Sequence, residues 1–257
     1  MPNRVSKSEQ RKTKILHILL QGHLIPIKDL AAELDVSLMT IHRDLADLEN
    51  NGAISRVRGA VSAEKSVLFE SSYYYRSQKH IDEKRRLAKA AIKYITPGNA
   101  IVWDDSTTAF QAVEYIEEVA PVTVMTNGLD VINRLVETPE VDVIALGGIY
   151  HRGFKGFFGL QCEEAIRRHY VDVALMSTTT VEGTTIYTQE EQVLRVKRAM
   201  MEIAQKTILL IDSSKFKFSA LNRVADLSEF DHVLISADTD PETLQDLRTK
   251  GVHFEIA

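Results

Sequence analysis

The sequence predicts a mixed α/β protein in two parts, a small helical head and a larger body built on a largely parallel sheet. Three observations predict it. Three short segments with helical apolar spacing fill roughly the first fifty residues and lead into a basic stretch. From Gly98 onward, apolar runs of strand length alternate with amphipathic helical segments, the pattern of a parallel sheet covered on both faces. Small polar residues gather where those runs end, which is where ligands sit in such folds. The chain has 257 residues, 44% hydrophobic and 26% charged, enough for a sizeable core and unlike a disordered protein.

Other features exclude whole classes. The longest apolar runs, such as Val171–Met176, are too short to span a membrane, and Met1-Pro2-Asn3-Arg4 lacks the apolar core of a signal peptide. A lone cysteine, Cys162, cannot form an internal disulfide and rules out a cysteine-based zinc site. A soluble cytoplasmic protein with no membrane partner, no metal and no cofactor is expected. The net charge of −5 is uneven: Met1 to Lys65 holds ten Lys/Arg against eight Asp/Glu, so the head is mildly basic and the body acidic. That permits nucleic-acid binding by the head without demanding it.

In the head, Ile15, Leu16, Ile18, Leu19 and Leu20 form an apolar stripe in a helix starting near Ser8, with Gly22 as its C-cap. Ile27, Leu30, Ala31 and Leu34 form one face of a second helix. Asp35-Val36-Ser37 is a tight turn in which Ser37 caps a third helix, predicted to bury Leu38, Ile41, Leu45 and Leu48. Its opposite face carries Met39, Thr40, Arg43 and Asp47, with His42 on the flank. After Gly52, the stretch Ile54 to Val61 reads as a short basic hairpin, completing a winged helix-turn-helix over residues 1–62. A helix fits the DNA major groove, so Ser37, Thr40 and Arg43 suit base edges, with Met39 and His42 beside them. Arg56 and Arg58 on the wing suit phosphates or the minor groove. Three short helices alone would equally fit a small domain with a solvated outer face; the turn, the capping serine and the basic wing favour DNA.

Residues 63–79 have no clean periodicity and read as a linker. Their tyrosines, Tyr73 to Tyr75, fit an interdomain packing surface better than a base-stacking ladder, because consecutive residues do not share a face. The body, residues 80–257, opens with a helix marked by Ile81, Lys84, Leu87, Ala88, Ala91 and Ile95. His80, Asp82 and Glu83 resemble metal ligands only superficially and are expected to be a solvated helix start. Predicted strands are 100–103, 122–125, 141–146, 171–176, 207–211 and 232–235. Predicted helices are 108–119, 129–137, 161–168, 192–205 and 241–250. Polar loops follow the strands: Asp104-Asp105-Ser106-Thr107-Thr108, Thr126-Asn127-Gly128, Gly147-Gly148 and Asp212-Ser213-Ser214-Lys215-Phe216. Any one of these is ordinary turn and cap chemistry. Together they point to an anion pocket for a small phosphorylated molecule, with Lys215 supplying charge.

Several of these motifs carry a family resemblance. Val36 to Leu45, Leu48-Glu49-Asn50-Asn51-Gly52 and Ser55-Arg56-Val57-Arg58-Gly59 resemble the DNA-binding head of the DeoR family of bacterial regulators. The loops at Asp104–Thr108, Thr126-Asn127, Gly147-Gly148 and Asp212–Phe216, with Val196-Lys197-Arg198-Ala199-Met200, resemble its effector domain, so the resemblance covers nearly the whole chain. It implies a body with the ribose-5-phosphate isomerase fold, a phosphorylated sugar effector, and Lys197 as a further site residue. This chain departs from the pattern at four positions. His42 stands where a second arginine is usual, Ala60 for a glycine, Ser106 for a glycine, and Val193 where an acidic residue is common, with Glu190 and Glu191 just upstream.

The expected function is a transcriptional regulator, a repressor of carbohydrate-metabolism genes, with no catalytic residues. Its partners would be double-stranded operator DNA, a phosphorylated sugar and further copies of itself in a dimer or tetramer, because one small head reads too short a site. The competing class is a sugar-phosphate isomerase with an accessory domain, using Asp104 or Asp105 as its base. An isomerase needs no helix-turn-helix, and no second acid-base group falls at a suitable spacing.

Overall fold

A computed structural model describes residues 7–20, 24–50, 54–57, 59–62, 73–217 and 219–257, which divide into two compact units, 1–79 and 80–257. Gly22, Gly52, Arg58 and residues 63–72 of the expected linker lie outside the described residues.

The first unit contains helices α1 (Lys7–Leu20), α2 (Ile27–Glu33), α3 (Leu38–Asn50) and α4 (Tyr73–Gln78), and strands β1 (Ile25–Pro26), β2 (Ser55–Val57) and β3 (Ala60–Ser62). Ile15, Leu16 and Leu19 of α1, Leu30 of α2, and Ile41, Leu45 and Leu48 of α3 are fully buried against Val61 of β3. The strands form an antiparallel ribbon in the order β1-β3-β2, with Ile25 opposite Val61 and Val57 opposite Ala60. Asp44 is a charged group inside this core. It accepts from Ser8 Oγ at 2.9 Å and from Arg11 Nη2 at 3.2 Å, tying α1 to α3. Leu38, expected in the core, is half exposed at the very start of α3, one residue beyond the Ser37 cap. Tyr73 is buried, with the Arg76 guanidinium 6.0 Å from its ring.

The second unit is built on seven parallel strands in the order β15-β14-β12-β9-β4-β5-β6. These are β4 (Ala100–Trp103), β5 (Val122–Thr126), β6 (Val141–Ala145), β9 (Val171–Ser177), β12 (Ala204–Ile211), β14 (His232–Ile235) and β15 (Glu255–Ile256). The buried stretches of the inner strands β4, β9, β12 and β14 read as apolar runs because alternate residues enter two different cores. Ile101, Trp103, Leu175, Ile208 and Leu210 pack with helix α5 (Ile81–Ile92), helix α6 (Leu129–Leu135) and the segment 109–119. Val102, Met176, Leu209 and Ile211 pack under α7 (Leu160–Arg167), α8 (Glu191–Ile203) and α9 (Pro241–Thr249).

Three expectations need correction. The predicted helix 108–119 is two 3-10 segments, Ala109–Glu114 and Ile116–Val119, broken at Tyr115. The predicted helix 192–205 ends at Ile203, and Ala204 already belongs to β12. Two hairpins were not foreseen: β7 (Ile149–His151) with β8 (Gly156–Phe158), and β10 (Thr180–Glu182) with β11 (Thr185–Thr188), the latter extended by β13 (Asn222–Asp226).

Candidate functional site

In the first unit, the candidate DNA-reading residues lie on the outward side of α3. Ser37, Met39, His42 and Arg43 are exposed, Met39 at 82%, and Thr40 is half-buried. Ser37 Oγ accepts from the Thr40 amide at 3.2 Å and lies 2.9 Å from the Thr40 hydroxyl, so the cap fixes the first turn of this surface. Asp47, placed on the same face from its spacing, pairs instead with Lys12 of α1. Arg56 is turned inward. Its Nε lies 2.9 Å from the Glu49 carboxylate and its Nη2 donates to the His42 carbonyl at 3.1 Å. It therefore ties β2 to α3. Arg58 lies outside the described residues.

In the second unit, the loops at the carboxyl ends of β4, β5, β9 and β12 bring together most of the predicted effector residues. Asp104, Asp105, Ser106, Thr107, Thr108, Thr126, Asn127, Lys197, Asp212 and Lys215 are all buried. Their polar groups interlock. Asp104 accepts from the amides of Ser106 and Ser177, each at 3.0 Å, and from the Lys197 ammonium, which also donates to the Ser177 carbonyl at 2.8 Å. Thr108 donates to Asp212 at 3.1 Å, and Lys215 Nζ lies 3.9 Å from the same carboxylate. Burial alone would raise the Asp212 carboxyl. The ammonium groups of Lys215 and Lys84 and the Ser214 hydrogen bond outweigh it and hold the pKa at about 2. The Ser106 hydroxyl accepts from the Ala109 amide at 3.2 Å, the first amide of the 109–114 3-10 segment.

Asn127 donates through Nδ2 to Asp105 at 3.2 Å and to the Phe157 carbonyl at 3.2 Å. Its Oδ1 is buried with no hydrogen-bond partner among the described residues. Thr126 has a local role, its hydroxyl accepting from the Gly128 amide at 3.0 Å. The β7–β8 hairpin is seated beside Asn127 by main-chain bonds, Phe157 N to Asn127 O and Leu129 N to Lys155 O, both 2.9 Å. Gly148 makes room for that hairpin. Its φ is +134°, and a β-carbon there would meet the Phe158 carbonyl oxygen at 2.4 Å. Gly147 is exposed, with open space where a side chain would go. Val193, on α8, is buried in the core, while Glu191 pairs with Arg195 at 2.6 Å.

Two residues were missed. Lys84, read only as a helix-spaced position, is buried and donates to Thr107 Oγ1 at 3.1 Å. Glu83, expected in a solvated helix start, is buried. Its carboxylate accepts from His80 Nδ1, from the Ser213 amide at 2.9 Å and from the Ser213 hydroxyl at 3.1 Å. Burial would raise its pKa, but these hydrogen bonds lower it. Among the described residues no group of three or more His, Cys, Asp or Glu is arranged to hold a metal, and no helix is long and apolar enough to cross a membrane.

Both units match known families. The family described as the DeoR-like helix-turn-helix domain matches residues 11–67, and the DeoR C-terminal sensor domain matches residues 79–237. A putative aga operon transcriptional repressor of Escherichia coli O157:H7 is 32% identical over 97% of this chain and 94% of its own. An L-fucose operon activator of Haemophilus influenzae is 31% identical over 91% of this chain and 94% of its own. Among solved structures, ribose 5-phosphate isomerase A of Methanocaldococcus jannaschii aligns over 52% of this chain and 54% of its own, at 19% identity and a TM-score of 0.38. With a helix-turn-helix in the first unit, a polar loop cluster in the second, and the family's two domains matched in that order, the chain belongs to the DeoR family of DNA-binding transcriptional regulators.

Proposed function

We propose that this chain is a cytoplasmic repressor of carbohydrate-metabolism genes whose hold on double-stranded operator DNA is retuned by a phosphorylated sugar. The observation that carries the effector half is Asn127 Oδ1, a buried acceptor with no partner among the described residues, beside Asp105 at the strand ends. An acceptor left in that state is costly, and a sugar hydroxyl is the kind of donor that satisfies it. The hydroxyls of Ser106, Thr107 and Thr108, with Lys215, suit the phosphate. The relatives named for the aga and fucose operons favour the same class of ligand. Control follows by linkage: the sugar binds the DNA-competent and DNA-incompetent arrangements with different affinities and shifts their populations.

In the head, Ser37, Thr40 and Arg43 read base edges, with Met39 and His42 lining the same surface. A single head reads a short half-site, so the working unit is a dimer or tetramer. Residues 1–62 act as the DNA-binding domain, 63–79 as the connection and 80–257 as the sensor. The test is a gel shift on the chain's own upstream region with and without a panel of pentose and hexose phosphates. Calorimetry with any binder follows, on the parent and on Lys215→Ala and Thr107→Val. Unchanged affinity in both variants would put the sugar elsewhere.

A further inference from the structure

Two neighbouring residues on the first turn of α5 hold two different loops of the sensor. Lys84 donates to the Thr107 hydroxyl in the loop after β4. Glu83 accepts from the amide and hydroxyl of Ser213 in the loop after β12. These partners are 23 and 130 residues away in sequence, yet they converge on one helical turn. The same turn is anchored at its start. The Lys84 amide donates to the His80 carbonyl at 3.0 Å, and the His80 ring bonds the Glu83 carboxylate. His80 has a left-handed backbone, φ +54°, a conformation that a β-carbon disfavours and that persists only where surrounding bonds hold it. It is also the residue at which the second unit begins, directly after Lys79, the last of the first unit.

We infer that the first turn of α5 is the output element of the sensor: Glu83 and Lys84 transmit the state of the two loops to His80 and so to the chain leading to the DNA-binding unit. The inference rests on the proposed effector reading. A sugar phosphate taken up between these loops has to change the partners of the Thr107 hydroxyl and of the Asp212 and Lys215 groups. Thr107 is held by Lys84, and Ser213, between Asp212 and Lys215, is held by Glu83. Movement of either loop therefore draws on the same turn. The two attachments differ in chemistry, one an ammonium on a hydroxyl and the other a carboxylate on an amide and a hydroxyl, so they respond to different changes in the site.

The test is amide hydrogen exchange on the full chain, read at residues 84–87, the first amides able to bond within α5. Ser213→Ala and Thr107→Val each remove one hydroxyl at a distance in sequence. Each is expected to speed exchange at these amides about tenfold, in line with the loss of one buried hydrogen bond. Parent-like exchange in both variants overturns the inference. A second arm adds glucose 6-phosphate, fructose 6-phosphate, ribose 5-phosphate or inorganic phosphate to the parent chain. Slower exchange in 104–108 and 212–216 together with a change at 84–87 supports the inference. The same protection of the loops with 84–87 unchanged overturns it. If none of the four protects the loops, it is the effector reading that fails for these ligands, and the two variants alone decide the output element.

Discussion

Replacing Lys197 with methionine removes an ammonium while keeping most of the side chain's volume, and the cost can be worked from its surroundings. Asp104 is fully buried, and Lys197 is nearly so. Removing one partner of a buried ion pair costs about 3–5 kcal/mol, because the remaining charge is left uncompensated. Asp104 keeps two amide donors, from Ser106 and Ser177, which argues for the lower end. The Ser177 carbonyl loses the Lys197 donor, which adds to the loss. The expected destabilisation is about 3–4 kcal/mol, or roughly 10 °C in Tm for a unit of this size. Urea unfolding followed by tryptophan fluorescence isolates the sensor unit, since the single tryptophan, Trp103, is buried in the strand that leads to Asp104. Asp104→Asn added to Lys197→Met should recover part of the loss, because an amide needs no counter-charge. A loss below about 1 kcal/mol for Lys197→Met would refute the reasoning. Lys197 would then be a solvated charge and not a structural strut.

The Asp212 carboxyl, held at about 2 against an ordinary 3.8, contributes about 2 kcal/mol that is fully present above its unfolded value and is lost as the pH falls toward 2. The stability gap between the parent and Asp212→Asn should therefore shrink between pH 5 and pH 2.5 in urea titrations; a constant gap would contradict the assigned charge. Gly148→Ala should cost about 3 kcal/mol, from its left-handed backbone and the collision with the Phe158 carbonyl, while Gly147→Ala should be close to neutral in the same melts. Arg56→Ala should lower the stability of the head by about 1 kcal/mol or less, because its ion pair with Glu49 is partly exposed. It should also weaken binding to every DNA sequence without reordering preferences in competition gel shifts. Arg43→Ala should lose about 1–3 kcal/mol of discrimination between cognate and mismatched sites while non-specific binding persists.

How much could be read from sequence depended on whether the cause was local. Strand β4 matched its predicted bounds and β9 ran one residue past them, since apolar residues facing two cores leave a continuous signal. The loops after the strands were also legible, because small hydroxyl residues and glycines announce turns. Leu38 misled because helical spacing continues past the point where the core ends. The segment 108–119 keeps helical spacing too, yet it forms short 3-10 pieces. The β7–β8 hairpin has three residues per strand and no alternation long enough to register. Lys84 and Glu83 were beyond reach for a different reason. Nothing near either residue in sequence indicates burial; their partners arrive from distant loops, and only the fold brings them together.

The β7–β8 hairpin offers a handle for redesign. Two main-chain bonds, the Asn127 side-chain amide and the Lys155–Asp130 ion pair hold it in place, and Gly148 leaves the gap it needs. Ile149, Tyr150 and Arg152 point outward and take no part in those bonds. A library varied at these three positions would thus sample new chemistry at the rim of the sensor while every member kept the same backbone perch. Such a library would leave the buried polar network untouched.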